Sequence, residues 1–115
     1  MDAMTFPDGT LGDQSSVKGF KVVGTDGRAG RVSWASYKPG DSYLVVTIGM
    51  LRRAHHVVPA GAVTSVRDGE VRVAMSRAQI KHLPDLPHPE APVGAASVEQ
   101  MINAFEREYA LSRRN

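Results

Sequence analysis

Residues 20–37 read FKVVGTDGRAGRVSWASY, and they decide the fold, because three glycines and an Asp-Gly pair interrupt an otherwise apolar, β-branched run. A nucleotide-binding loop needs its glycines after a strand and immediately before a helix, whose N-terminal amides face the phosphates. Here a β-branched segment follows, GRVSWASY at 30–37, and the Lys-Ser/Thr pair of a P-loop is missing. The glycines are explained by folding alone. Gly24 ends a first strand, Asp26-Gly27 turns the chain into a hairpin because a tight turn favours positive φ, and Gly30 allows a tight bend where a small barrel closes.

Working outward, the same punctuation recurs. Lys38-Pro39-Gly40-Asp41 reads as a turn. YLVVTIG at 43–49 follows as a strand with Leu44, Val46 and Ile48 on one face. A turn around Leu51 to Arg53 leads to a strand through His55 to Val58, closed by Pro59 at its end. Asp68-Gly69 is the apex of a second hairpin, and Val71, Val73 and Met75 alternate beyond it. Six short strands at regular spacing predict a mainly β protein, a small antiparallel β-barrel or sandwich rather than parallel βαβ units. Leu44, Val46, Ile48, Val71 and Val73 are its expected interior.

After the strands, SRAQIKHLPDLP predicts one or two helical turns capped by Ser76, with Gln79 completing a capping box and Pro84 as the stop. LPDLPHPEAP reads as a semi-rigid extended connector. Ser97 then caps an amphipathic helix whose Val98, Met101, Ile102, Phe105 and Tyr109 share one face. That stripe needs cover, from the chain's own barrel or from a second subunit. The expected organisation is a mobile acidic arm at 1–17, the barrel at 18–83, the connector at 84–96 and the helix at 97–114.

One domain is the size expected for 115 residues. With no cysteine, disulfides, thiolate metal sites and cysteine nucleophiles are excluded. No apolar run approaches the roughly 20 residues that span a bilayer, and the N-terminus lacks a signal-peptide pattern. A cytoplasmic protein without membrane insertion is expected.

The net charge of +2 hides an asymmetry: residues 18–82 carry eleven bases against four acids, a net +7, between acidic flanks. Arg28, Arg31, Arg52 and Arg53 are the candidate contacts for an acidic partner or for nucleic acid. Trp34, Tyr37 and Tyr43 could serve as stacking platforms for RNA or belong to the core and rim. Catalysis finds little footing. His55 and His56 are strand neighbours and point to opposite faces, so they cannot share a metal. His82 and His88 lie in a Pro-rich segment without carboxylates at metal-ligand spacing. No serine sits on a strand-to-helix elbow, and Asp26 and Asp68 are accounted for by turns. No catalytic residue, metal site or cofactor is expected, and the histidines read as surface residues.

The order GFKVVGTDGRAGRV, YLVVTIG, HHVVPAGAVTSV and GEVRVAMSRAQIKHLP resembles the PRC-barrel family in its bacterial stand-alone form, over about residues 17–87. The resemblance implies a small, strongly bent antiparallel β-barrel that docks to larger assemblies, as in the cytoplasmic domain of the photosynthetic reaction centre H subunit and the C-terminal domain of a ribosome maturation factor. Neither the transmembrane helix of the first nor the N-terminal barrel of the second is present here. The expected function is a non-catalytic protein-interaction or assembly module that self-associates, with a homodimer built in part by the C-terminal helix. The alternative is an RNA- or ribosome-associated factor binding through the basic surface.

Overall fold

A computed structural model describes residues 3–12, 14–38 and 40–112, with side chains described as far as Arg107. Seven strands form one mixed sheet: β1 (Lys21–Gly24), β2 (Gly27–Ser36), β3 (Tyr43–Ile48), β4 (Ala54–Pro59), β5 (Val63–Arg67), β6 (Glu70–Val73) and β7 (Asp85–Leu86). A turn of 3-10 helix at Ala60–Ala62 joins β4 to β5; helices α1 (Arg77–Lys81) and α2 (Ala95–Ser112) flank β7 in sequence. The strand order is β5-β6-β1-β2-β3-β4-β7. Its two edges, β5 and β7, do not pair with each other, so the described strands do not close into a hydrogen-bonded barrel.

The strand pattern predicts an antiparallel sheet, and the sheet is instead mixed. β1 and β6 run parallel, with Val22 opposite Val71, because each is half of its own hairpin and the two hairpins are joined side by side. Bulges at Val22/Val23, Val32/Trp34 and Val63/Ser65 add local twist and bend the strands that carry them. One buried cluster runs across Val22, Val32, Leu44, Val46, Val58, Val63, Val71 and Val73, which places six strands around a common core. The expected interior residues Leu44, Val46, Val71 and Val73 are buried in it, while Ile48 is half-buried at its margin.

Val45 and Val57 face the opposite side of the sheet and are buried there against Met4, Leu86, Ala91 and Met101. Residues 44–46 of β3 are covered on both faces, which is why LVV is an uninterrupted apolar run rather than an alternating one. Helix α2 supplies much of the outer cover. It begins at Ala95, two residues before the expected cap at Ser97, and Val98 N donates to Gly94 O.

Both hairpin turns exist, with one shift. Asp68 (φ 54) and Gly69 (φ 74) turn β5 into β6 as predicted. Between β1 and β2 the apex is Thr25–Asp26, and Gly27 (φ 124) opens β2. Gly24 and Gly30 answer to close approach instead: a Cβ on Gly24 would lie 2.5 Å from Met75 O, and one on Gly30 would collide with the Thr47 backbone.

Two segments expected to stand apart from the barrel, the mobile arm and the semi-rigid connector, are packed. Ala3 and Met4 are buried, Ser42 N donates to Met4 O (2.7 Å), and Phe6 stacks on Tyr37 at 5.8 Å. The arm is therefore tied to the rest of the fold at Ala3, Met4, Phe6 and Val17. In the connector, Asp85–Leu86 adds a strand to β4, and Leu83, Leu86 and Ala91 are buried. The predicted capping box of α1 is present, with Gln79 N donating to Ser76 Oγ and Ser76 N to Gln79 Oε1.

Candidate docking face

The β3–β4 hairpin ends in the loop 49–53, GMLRR, which turns on Gly49 (φ 96). A Cβ at Gly49 would lie 2.5 Å from Arg52 O, so the turn tightens only with glycine there. Its consequence is projection. Met50 is 91% and Leu51 100% exposed, next to the exposed Arg52 and Arg53. Large apolar side chains held wholly in water are informative in a way that a partly exposed leucine is not.

Beside this tip lies a cleft of about 540 Å³ whose walls include Arg28, Arg31, Arg53, Ser33, Thr47 and Met50. Three of the four arginines singled out in the sequence thus meet around one depression, and Arg52 stands outside it on the loop. Pleating accounts for their gathering, since Arg31 and Thr47 are cross-strand partners on β2 and β3 and Arg53 arrives from the adjoining loop. Arg31 Nη1 donates to Gly19 O (3.0 Å), which orients its guanidinium. Among the described residues the ion pairs are Arg72–Glu70 (3.5 Å) and Arg77–Asp26 (3.6 Å). None of the four arginines has a carboxylate partner there.

The cleft has a polar floor that the sequence reading had not identified. Ser33 Oγ is hydrogen-bonded to Thr47 Oγ1, which in turn meets His55 Nδ1 at 2.8 Å. These residues lie on three adjacent strands, and only the cross-strand register brings them together. His55 reaches Ser33 only through Thr47, so the imidazole is not placed as a base against the serine hydroxyl. Asp85 does not orient that imidazole either; its carboxylate accepts from the His55 backbone N–H (2.9 Å). His56 points the other way, as predicted, but it is buried rather than on the surface, with Nδ1 3.0 Å from Leu83 O.

The other predicted site is already occupied. On α2, Met101 and Phe105 are buried and Val98 and Ile102 half-buried against the chain's own sheet and N-terminal segment; the Tyr109 side chain lies outside the described residues. Tyr37 is likewise engaged, stacking on Phe6 and accepting from Val17 N (2.9 Å). The Lys18 ammonium stands 5.9 Å from the centre of the Trp34 ring. Among the described residues no helix is long and apolar enough to cross a membrane, and no three His, Asp or Glu side chains gather as a metal site.

The backbone of α1 holds one titrating contact. Asp26 Oδ1 accepts from Arg77 N (2.9 Å), and that bond, aided by the Arg77 charge, holds its carboxyl below the ordinary value of 3.8. No family model matches the chain, and no curated protein matches it by sequence.

Proposed function

We propose that the chain is a non-catalytic protein-interaction module of PRC-barrel type, cytoplasmic, which docks an acidic protein partner through the Met50–Leu51 tip and the arginines around it. The single observation that carries this reading is the pair of projecting apolar side chains set beside arginines that have no carboxylate partner among the described residues. An apolar anchor supplies affinity when it enters a partner's pocket, and flanking arginines steer the encounter and select acidic surfaces. Self-association belongs to the same proposal. A homodimer would be built on this tip or on the sheet edges, because the α2 stripe is covered in cis.

A second reading, binding of RNA or a ribosomal surface, is favoured by the three arginines of the cleft, since guanidinium groups track a phosphate backbone without need of an apolar anchor. The two separate on Leu51. Fluorescence anisotropy with a labelled Asp/Glu-rich peptide carrying leucines, and with a labelled single-stranded RNA, compares wild type with Leu51→Ser. Docking of a protein predicts that the substitution weakens the peptide by about tenfold, the value of one buried leucine. RNA that binds more tightly than the peptide, with Leu51→Ser without effect, would replace the first reading by the second.

A further inference from the structure

The geometry points to an oxyanion subsite in the cleft beside the tip, where Arg28, Arg31 and Arg53, over the Ser33 and Thr47 hydroxyls, take the phosphate monoester of a phosphorylated side chain on the docking partner. It rests on the docking reading and names the chemistry that the partner brings. Three guanidiniums without carboxylates among the described residues line one depression. A carboxylate has two oxygens and one charge, whereas a phosphate monoester offers three terminal oxygens and a charge of about −1.5 to −2, so each guanidinium fork can find an oxygen. Arg31 is already oriented through Gly19 O, and that bond uses one of its five N–H donors. At about 540 Å³ the cleft also has room for the side chain that bears the phosphate.

The floor adds direction. A hydroxyl donates once, so the Ser33–Thr47–His55 chain can run either way. With the proton of a neutral His55 on Nδ1, the imidazole donates to Thr47, Thr47 donates to Ser33, and the Ser33 proton is free to donate into the cleft. An anion above Ser33 selects that direction; with the other tautomer, Ser33 would spend its proton on Thr47 and present lone pairs to the anion.

The test is calorimetric titration of the full chain with an acidic, leucine-containing peptide bearing one phosphoserine, and with its unphosphorylated twin. The phosphopeptide should bind about tenfold tighter or more. Arg28→Ala and Arg53→Ala should each lower phosphopeptide affinity by about tenfold and weaken the twin, which offers these arginines carboxylates only, by a smaller factor; Arg67→Ala, on β5 outside the cleft, should change the two affinities equally. Arg53→Lys keeps the charge and loses the fork, so it should resemble Arg53→Ala. Ser33→Ala should weaken the phosphopeptide alone. Melting of each variant by circular dichroism confirms that it is folded; because Arg28 and Arg53 are exposed, neither substitution removes core contacts. Equal affinity for the two peptides, or an Arg53→Lys variant that binds as wild type does, overturns the subsite. In that event Leu51→Ser weakening both peptides still upholds the docking reading, whereas Leu51→Ser without effect on either removes that reading too.

Discussion

The outer face of β3 and β4 has two halves that differ only in what covers them. At one end Val45 pairs with Val57, and both are buried beneath α2 and the N-terminal segment. Two residues further along the same strands Thr47 pairs with His55, both half-buried and bonded to each other, and Thr47 lines the arginine cleft. The change from valine to hydroxyl and imidazole falls within a single repeat of the pleat. A helix that covers a sheet face therefore dictates its composition position by position, and where the cover stops the face becomes available for recognition.

Breaking the covered half should have the largest effect. Met101 is fully buried in the outer cluster, and truncation of such a side chain costs about 2 to 5 kcal/mol when its surroundings cannot collapse. Met101→Ala should shift the midpoint of chemical denaturation accordingly. A midpoint unchanged by the substitution would mean that α2 is not docked as described, and would return the stripe to a second subunit.

The open half should yield less. Thr47→Val keeps the shape of the side chain and removes the oxygen that joins Ser33 to His55. Loss of a partly exposed hydrogen bond of this kind costs about 1 kcal/mol, partly offset by the β-propensity of valine. Denaturation of Thr47→Val beside Met101→Ala gives the ratio directly. A Thr47 effect equal to or larger than the Met101 effect would show that the polar floor, not the helix, holds this face together.

How much of this contrast could be read in the sequence depends on the range of the interaction that fixes each part. β3 and the Asp68-Gly69 hairpin, like the capping box at Ser76, are set by neighbours within a few residues, and all were legible. Val45 was not: alternation assigns it to the solvent side, and only the arrival of α2 from the far end of the chain buries it. The parallel pairing of β1 with β6 escaped for the same reason. So did Met4 and Phe6, which lie in a Gly- and Asp-rich segment without periodicity and are held by Ser42 and Tyr37. Of the candidate site, the arginines were legible as a charge excess. The Ser33–Thr47–His55 floor was not, because it exists only in the cross-strand register and the bulge at Val32/Trp34 shifts that register. The turn at Thr25–Asp26 was displaced by one residue from the Asp-Gly signal. There the Asp26 carboxylate serves α1, a contact between residues 51 apart.

That contact carries the finest form of the comparison, between an arginine with a counter-ion and arginines without one among the described residues. Arg77 has Asp26 at 3.6 Å, while Arg28, Arg31 and Arg53 face an open cleft. Asp26 is solvent-exposed, so its contribution to stability is small and screened by salt. Its sign is nevertheless defined. The bond from Arg77 N and the Arg77 charge lower its folded pKa from 3.8; the carboxylate is therefore favoured by folding, and its contribution is complete above the unfolded value and lost as pH falls through the folded one. Asp26→Asn should accordingly be slightly less stable than wild type near neutral pH, and the difference should vanish in acid below the folded pKa. Paired urea denaturation curves at neutral and strongly acidic pH measure it, since every other titrating group cancels between the two chains to first order. A difference that widened as the pH fell would mean that Asp26 is protonated more readily in the folded chain than in the unfolded one, and that Arg77 is as free of a counter-ion as the arginines of the cleft.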